Sequence, residues 1–299
     1  MTAYEIVERP ADWPQRDQLG EGPLWSEAEA CLYWVDIVGK RACRFRPADG
    51  AFHHWALPAP CSAIVPTIQG DAIVALADGL HRLDLETGLS RPFGRPDLDP
   101  GNRSNECRCD PQGRLWLGTM HNNIGPQGEP LPITRSSGTL SCIGADGVVV
   151  RLLEGVGIVN TLAWSPDGRR LYTADSLKGV IYSFAYHADG PALSDRQVLA
   201  AGLPGSPDGS AMDEAGCLWT AYWGAGRLVR FTPEGKIDQT LTLPVAQPSC
   251  CAFGGDDLRT LYVTSARQAL EGLEPHSLDG ALFAIRVETP GMVETLFKG

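Results

Sequence analysis

Short apolar runs separated by Gly, Pro, Asn and Asp recur along the whole chain, a pattern of brief strands and tight turns rather than of long helices. Residues 160–172 (NTLAWSPDGRRLY) define a unit: a polar residue, a short apolar stretch, a turn, then an apolar–aromatic pair. The same grammar runs through residues 208–219 and 105–116, and looser copies occupy 21–33, 62–74 and 249–262. Each copy continues into a strand opened by glycine (Gly79, Gly138, Gly179, Gly226 and Gly280, with a looser start at Gly39). An X-Gly turn follows every time: Asp49-Gly50, Thr87-Gly88, Asp146-Gly147, Asp189-Gly190, Glu234-Gly235 and Pro290-Gly291. Such dipeptides between apolar runs are strong hairpin signals.

Six units of four short antiparallel strands are therefore expected, their opening polar positions spaced by 41, 43, 55, 48 and 41 residues. That is the arithmetic of an all-β, six-bladed β-propeller, a single domain spanning residues 1–299. A closed ring needs no capping repeats, and none is evident. The segments 4–8 and 292–297 are the two candidates for completing the last blade. The long interval comes from an insertion between Gly118 and Gly138, rich in Pro, Gly and Asn, which reads as a loop over one face.

Composition agrees with this pattern. The 299 residues include 34 Gly and 23 Pro, an excess that the turns absorb. The net charge of −11 argues against nucleic acid or an anionic membrane as partner. No apolar run is long enough for a transmembrane helix, and the N-terminus lacks the apolar core of a signal peptide, so a cytoplasmic location is expected. Nine cysteines without a CxxC pair read as reduced, mostly buried thiols.

In a propeller the first strand of each blade lines the central channel, so equivalent residues on those strands meet around one axis. Here they are Glu21, Ser62, Asn105, Asn160, Asp208 and Ser249, all polar. Two carboxylates and two carboxamides at one mouth form a hard-oxygen set suited to a divalent cation; the alternative is a wet channel mouth in which small polar side chains satisfy strand ends. Two converging carboxylates call for a counter-charge, which favours the metal. There is no GxSxG nucleophile elbow, and the six histidines show no HxH or HExxH spacing. The tryptophans Trp25, Trp116, Trp164 and Trp219 recur at blade-equivalent places and read as inter-blade packing, with Trp223 a candidate exception. For Arg103 the structural alternative is an ion pair with Glu106.

Four stretches carry a resemblance: Gly20-Glu21-Gly22-Pro23-Leu24-Trp25; Asn102-Arg103-Ser104-Asn105-Glu106 followed by residues 110–120; residues 160–168; and Pro207-Asp208-Gly209. In this order and spacing the chain resembles the senescence marker protein (regucalcin)/gluconolactonase family over essentially its whole length. The resemblance implies a six-bladed propeller with one divalent cation at the channel mouth, hydrolysing a sugar lactone to its aldonic acid in carbohydrate catabolism. By matching position, Glu21, Asn160 and Asp208 would hold the cation, and Arg103, Asn105 and Asn123 would bind substrate. The usual Arg-x-Asn-Asp-Gly reads Arg103-Ser104-Asn105-Glu106-Cys107 here, and several relatives carry an acid at the place of Asn123. Asp208 is the expected general base, with the cation polarising the carbonyl and Arg103 orienting hydroxyls or the oxyanion. The oxygen-rich set suits calcium, zinc, manganese, magnesium or ferrous iron. Competing readings are a paraoxonase-like lactonase or aryl esterase, and a non-enzymatic calcium-binding or scaffold propeller. The loop 119–137 is expected to choose among pentono-, hexono- and deoxy-sugar lactones.

Overall fold

The computed structural model describes residues 3–299. It contains six four-stranded antiparallel sheets and no helix among the described residues. The innermost strands of blades 1 to 6 are Gly20–Ser26, Cys61–Pro66, Asn102–Cys109, Val159–Trp164, Ser206–Met212 and Gln247–Gly254. Each contacts the innermost strand of the next blade, and blade 6 returns to blade 1. In five blades the strands follow chain order outward. Blade 6 takes its outermost strand from the other end of the chain: Glu5–Ile6 pairs antiparallel with Phe283–Arg286, joining Glu5 to Ala284 and Ile6 to Phe283. Of the two candidates for closing the ring, the N-terminal segment does so.

The C-terminal segment does something else. Met292 N–H donates to the Met212 carbonyl (3.0 Å), Phe297 N–H to that of Pro66 (3.2 Å) and Lys298 N–H to that of Gly113 (3.0 Å). The tail thus crosses the far face of the ring, touching blades 5, 2 and 3. Phe297 ends fully buried, edge-on to Phe93 at 5.8 Å.

The recurrent turn has a physical reason. In blade 3, Asp110 at the end of the innermost strand accepts the backbone N–H groups of Gln112 and Arg114 (both 3.0 Å) and the Trp116 indole N–H (2.9 Å). In blade 5, Asp213 accepts from Cys217 N–H (2.9 Å) and Trp219 Nε1 (3.2 Å). One carboxylate folds the turn and fixes the tryptophan, so the spacing from aspartate to tryptophan is conserved between the two blades. The tryptophans join neighbouring blades: Trp116 lies edge-on to Trp164 at 5.6 Å, and Trp25 stacks on Tyr262 at 6.0 Å. All nine cysteines are free and buried. No helix is long and apolar enough to cross a membrane.

Every innermost strand carries one residue more than its partner can pair. In blades 2, 3 and 6 the pairing passes from Cys61 to Ala63, from Ser104 to Glu106 and from Pro248 to Cys250. In blades 1, 4 and 5 it passes from Glu21 to Leu24, from Asn160 to Ala163 and from Pro207 to Ser210. A β-bulge re-aims the side chains around it; Ser62, Asn105, Asp208 and Ser249 lie within their bulges, and Glu21 and Asn160 are the last paired residues before theirs.

Truncation of Phe297 to alanine should empty a closed apolar site and cost about 3–5 kcal/mol. Urea denaturation of this variant, read against wild type, measures it; an unchanged midpoint would mean that the tail contributes nothing to the ring.

Candidate active site at the channel mouth

Four of the six converging positions, Glu21, Asn105, Asn160 and Asp208, line a single cavity of about 300 Å³ together with Arg103 and Asn123. All six residues singled out in the sequence are therefore brought to one place. The other two positions turn away: Ser62 Oγ donates to the Ala75 carbonyl (3.3 Å), and Ser249 Oγ to that of Gly20 (2.5 Å). They serve the backbone of the ring.

A directional chain of hydrogen bonds fixes the floor. Arg103 donates through Nε to Asn123 Oδ1 (3.0 Å) and through Nη1 to Asn105 Oδ1 (2.8 Å) and the Ser104 carbonyl (2.8 Å). Asn105 Nδ2 donates to Asn160 Oδ1 (2.9 Å) and the Val159 carbonyl (3.0 Å). Asn160 Nδ2 donates to Ser176 Oγ (2.9 Å), which donates to the Pro207 carbonyl beside Asp208 (2.6 Å). These partners fix the orientation of each amide, with the Asn160 oxygen on the side of Asn105 and its nitrogen on the side of Ser176. Arg103 makes no ion pair with Glu106; that carboxylate faces Arg108 instead, at 3.8 Å.

Backbone strain supports the same floor. Gly22, next to Glu21, has φ +54°, and the residue next to Asn160 has φ +56° although it is threonine. A β-branched residue in that region is an outlier that its surroundings must hold. Thr161 is held by its own hydroxyl, which donates to the Asp208 carbonyl (2.6 Å) and lies 2.7 Å from Ser210 Oγ. Asp208 is followed by Gly209, where any side chain would run into Cys250.

Burial dominates the electrostatics of the cavity. Burial raises the Glu21 carboxyl to about 8, with Glu106 adding to the effect and the Gly22 N–H, Arg103 and Arg108 opposing it. Burial, then the charges of Glu21 and Glu106, hold Asp208 well above the ordinary carboxylate range. Burial also lowers Arg103 to about 10, against the pull of Glu21 and Asp208. Neither Glu21 nor Asp208 forms an ion pair among the described residues, and Glu21 accepts only from its neighbour Gly22 (2.9 Å). Two crowded carboxylates without a salt bridge, beside an oriented carboxamide oxygen, fit a hard divalent cation. Among the described residues no three His, Cys, Asp or Glu side chains gather in a metal-binding group; the oxygens that meet at this cavity come from two carboxylates and from carboxamides.

Comparison with known proteins agrees with this architecture. The family described as "SMP-30/Gluconolactonase/LRE-like region" matches residues 19–267. The chain belongs to this family. It is 38% identical over 291 residues to the 6-deoxy-6-sulfogluconolactonase of Pseudomonas putida, covering 95% of this chain and 97% of that one. It is 33% identical to the L-arabinolactonase of Azospirillum brasilense, covering 95% and 93%. The crystal structure of a calcium-binding protein, regucalcin, from Agrobacterium tumefaciens superposes with a TM-score of 0.87 at 28% identity, covering 100% of this chain and 98% of that one.

Within this family frame, several residues of the site went unmarked in the sequence. Thr161 and Ser176 hold the floor, and Gln268 lines the cavity while donating to the Gly128 carbonyl of the inserted loop (3.4 Å). Trp223, flagged as an exception among the tryptophans, lines the cavity, as do Ile37, Ile133 and Leu177. Thr161 could have been sought from Gly22, since both follow a proposed ligand at the same bulge.

Because the folded protein binds protons at Glu21 and Asp208 more tightly than the unfolded chain does, cation-free protein should lose stability as pH rises from about 4.5, the ordinary glutamate range, to about 8. Melting temperatures of chelator-treated protein between pH 5 and 8 should fall, and calcium or manganese at pH 8 should restore them. A flat profile would contradict the placement of these charges.

Proposed function

We propose that the protein is a carboxylic ester hydrolase that opens a sugar lactone to the aldonic acid, with Glu21, Asn160 and Asp208 holding a divalent cation. The observation that carries this reading is the pair of carboxylates, Asp208 buried and Glu21 half-buried, that lacks a salt bridge and shares a floor with an oriented Asn–Arg–Asn array. When bound, the cation supplies Lewis acidity to the lactone carbonyl.

The chain's own residues do the rest. Arg103 spends Nε and Nη1 on Asn123, Asn105 and the Ser104 carbonyl, which leaves Nη2 to donate to a substrate hydroxyl or to the developing oxyanion. Asn123, held by that guanidinium, offers its amide N–H groups to the polyol, and Asn105, whose two N–H groups are spent on Asn160 and Val159, can accept from it through Oδ1. Asp208, made more basic than an ordinary aspartate by burial and by Glu21, takes a proton from the attacking water and returns it to the ring oxygen as the tetrahedral intermediate collapses. One water is consumed and the acyl–oxygen bond of the ring breaks.

The same reading extends to the substrate. The cavity is small for a ligand site, suited to one sugar ring. Its floor comes largely from the innermost strands and is polar, whereas Ile37, Ile133 and Leu177 belong to loops and turns around it and Trp223 ends the second strand of blade 5. Arg103 is the one cationic side chain in the lining. The end of the lactone remote from the carbonyl is therefore uncharged, and a neutral or deoxy aldonolactone fits better than one bearing a sulfonate.

Proton release from a panel of pentono-, hexono-, 6-deoxyhexono- and 6-sulfo-lactones tests both levels. Wild type should hydrolyse the neutral members, and a chelator should abolish the rate. Asp208→Asn should lose about 10²–10⁴-fold in kcat while remaining folded by circular dichroism. Unchanged rates with chelator would remove the cation from the reaction, and faster turnover of the sulfo-lactone would reverse the substrate assignment.

A further inference from the structure

Below the cavity floor the channel axis carries a second set of charges that the proposed chemistry does not use. Arg108 lies on the same innermost strand as Asn105, and its guanidinium is buried at 4% exposure. Nη1 pairs with Glu294 at 2.6 Å. Nη2 donates to the Pro23 carbonyl (3.2 Å) and the Cys251 carbonyl (3.5 Å). A blade 3 side chain thus reaches the backbones of blades 1 and 6, which places it on the axis. Its Nε has no hydrogen-bond partner and faces Glu106 at 3.8 Å.

Glu106 is also buried at 4% exposure, with one oxygen accepting the Cys107 N–H (3.1 Å). It does not line the cavity. Glu294 sits on the C-terminal tail at the far face, its carboxylate 21% exposed. From the mouth downward the axis therefore reads Glu21 and Asp208, then Glu106, then Arg108, then Glu294. In a water-poor channel such charges act on one another more strongly than at the surface.

We propose that Glu106 and the Arg108–Glu294 pair are positioning charges that set, from beneath, how tightly the mouth holds its cation. Glu106 adds negative potential under Glu21 and Asp208. Arg108 alone would oppose a cation, and Glu294 cancels it. The C-terminal tail, remote from the substrate, is thereby coupled to the site through a buried ion pair. The inference rests on the reading that Glu21, Asn160 and Asp208 hold a divalent cation.

Its signature is a set of signs. Glu106→Gln should weaken binding of the cation by about 10- to 100-fold, the size typical when a group supporting a metal's ligands is lost. Glu294→Gln leaves Arg108 uncompensated and should weaken binding by about 3- to 10-fold, less because it is more distant and partly in water. Arg108→Gln removes the opposing charge and should tighten binding. Structural damage would weaken binding in all three.

Isothermal titration of chelator-treated protein with calcium chloride and with manganese chloride, without lactone, reads these affinities. Melting temperatures of the cation-free variants report their folding separately. Glu106→Asp should recover most of the affinity lost in Glu106→Gln. If Arg108→Gln fails to fold, the two glutamate variants and the aspartate rescue still decide the matter. Glu106→Gln and Glu294→Gln proteins that fold and bind within twofold of wild type overturn the proposal alone, as does weakened binding in a folded Arg108→Gln. Wild type that hydrolyses lactone yet binds neither ion overturns the cation reading, and this inference with it.

Discussion

A sheet ladder tolerates an extra residue only by breaking its register, and each innermost strand of this ring does so at or beside its converging polar position. Without the bulges, Glu21, Asn160 and Asp208 would alternate with their neighbours across the faces of three separate blades. With them, the strands stay paired on either side of the irregularity while Glu21, Asn105, Asn160 and Asp208 reach one cavity. Strain at Gly22 and Thr161, and the lack of room for a side chain at Gly209, are local costs of that release. The Thr161 hydroxyl bonds the Asp208 carbonyl across the blade boundary, so strain in blade 4 helps to locate a carboxylate of blade 5.

The converging groups are not neutral, and this shapes everything around them. Arg103 is held by three acceptors rather than by a carboxylate, which keeps it from simply neutralising Glu21 or Asp208. Those two carboxylates are left crowded and poorly solvated, a poor arrangement for a protein that binds no cation and a suitable one for a protein that does. The apolar rim above them limits access of bulk water, strengthening each interaction on the floor.

Much of this was legible in the sequence because the repeat writes the same local rule six times. The turn aspartates and the tryptophans that follow recur at a fixed distance because Asp110 and Asp213 each bond both the turn and the indole. Aligning on that grammar brings Glu21, Asn105, Asn160 and Asp208 into register without reference to any relative, whereas the roles proposed for them rest on family likeness. What stayed hidden depends on contacts between distant parts of the chain. Arg108 and Glu294 are 186 residues apart, and nothing local in either links them. Ser62 and Ser249 looked equivalent to the site residues by position, yet short side chains at the bulge satisfy carbonyls instead of reaching the mouth. Whether residues 4–8 or 292–297 complete the last blade is a choice between two plausible edge segments that only the assembled ring makes.

That choice also orders events during synthesis. The outermost strand of blade 6 is made before every strand of blades 1 to 5, and the three strands it joins are made after them. Residues 5 and 6 must therefore wait, unpaired, while nearly the whole chain emerges. The mouth is built from blades 1, 3, 4 and 5, and blade 1 meets blade 5 only through the blade that closes last. A nascent chain short of blade 6 can already join the floor contacts of blades 3, 4 and 5, but blade 6 is not yet there to hold Glu21 of blade 1 against Asp208 of blade 5. Binding at the mouth is in this sense a report on closure of the ring.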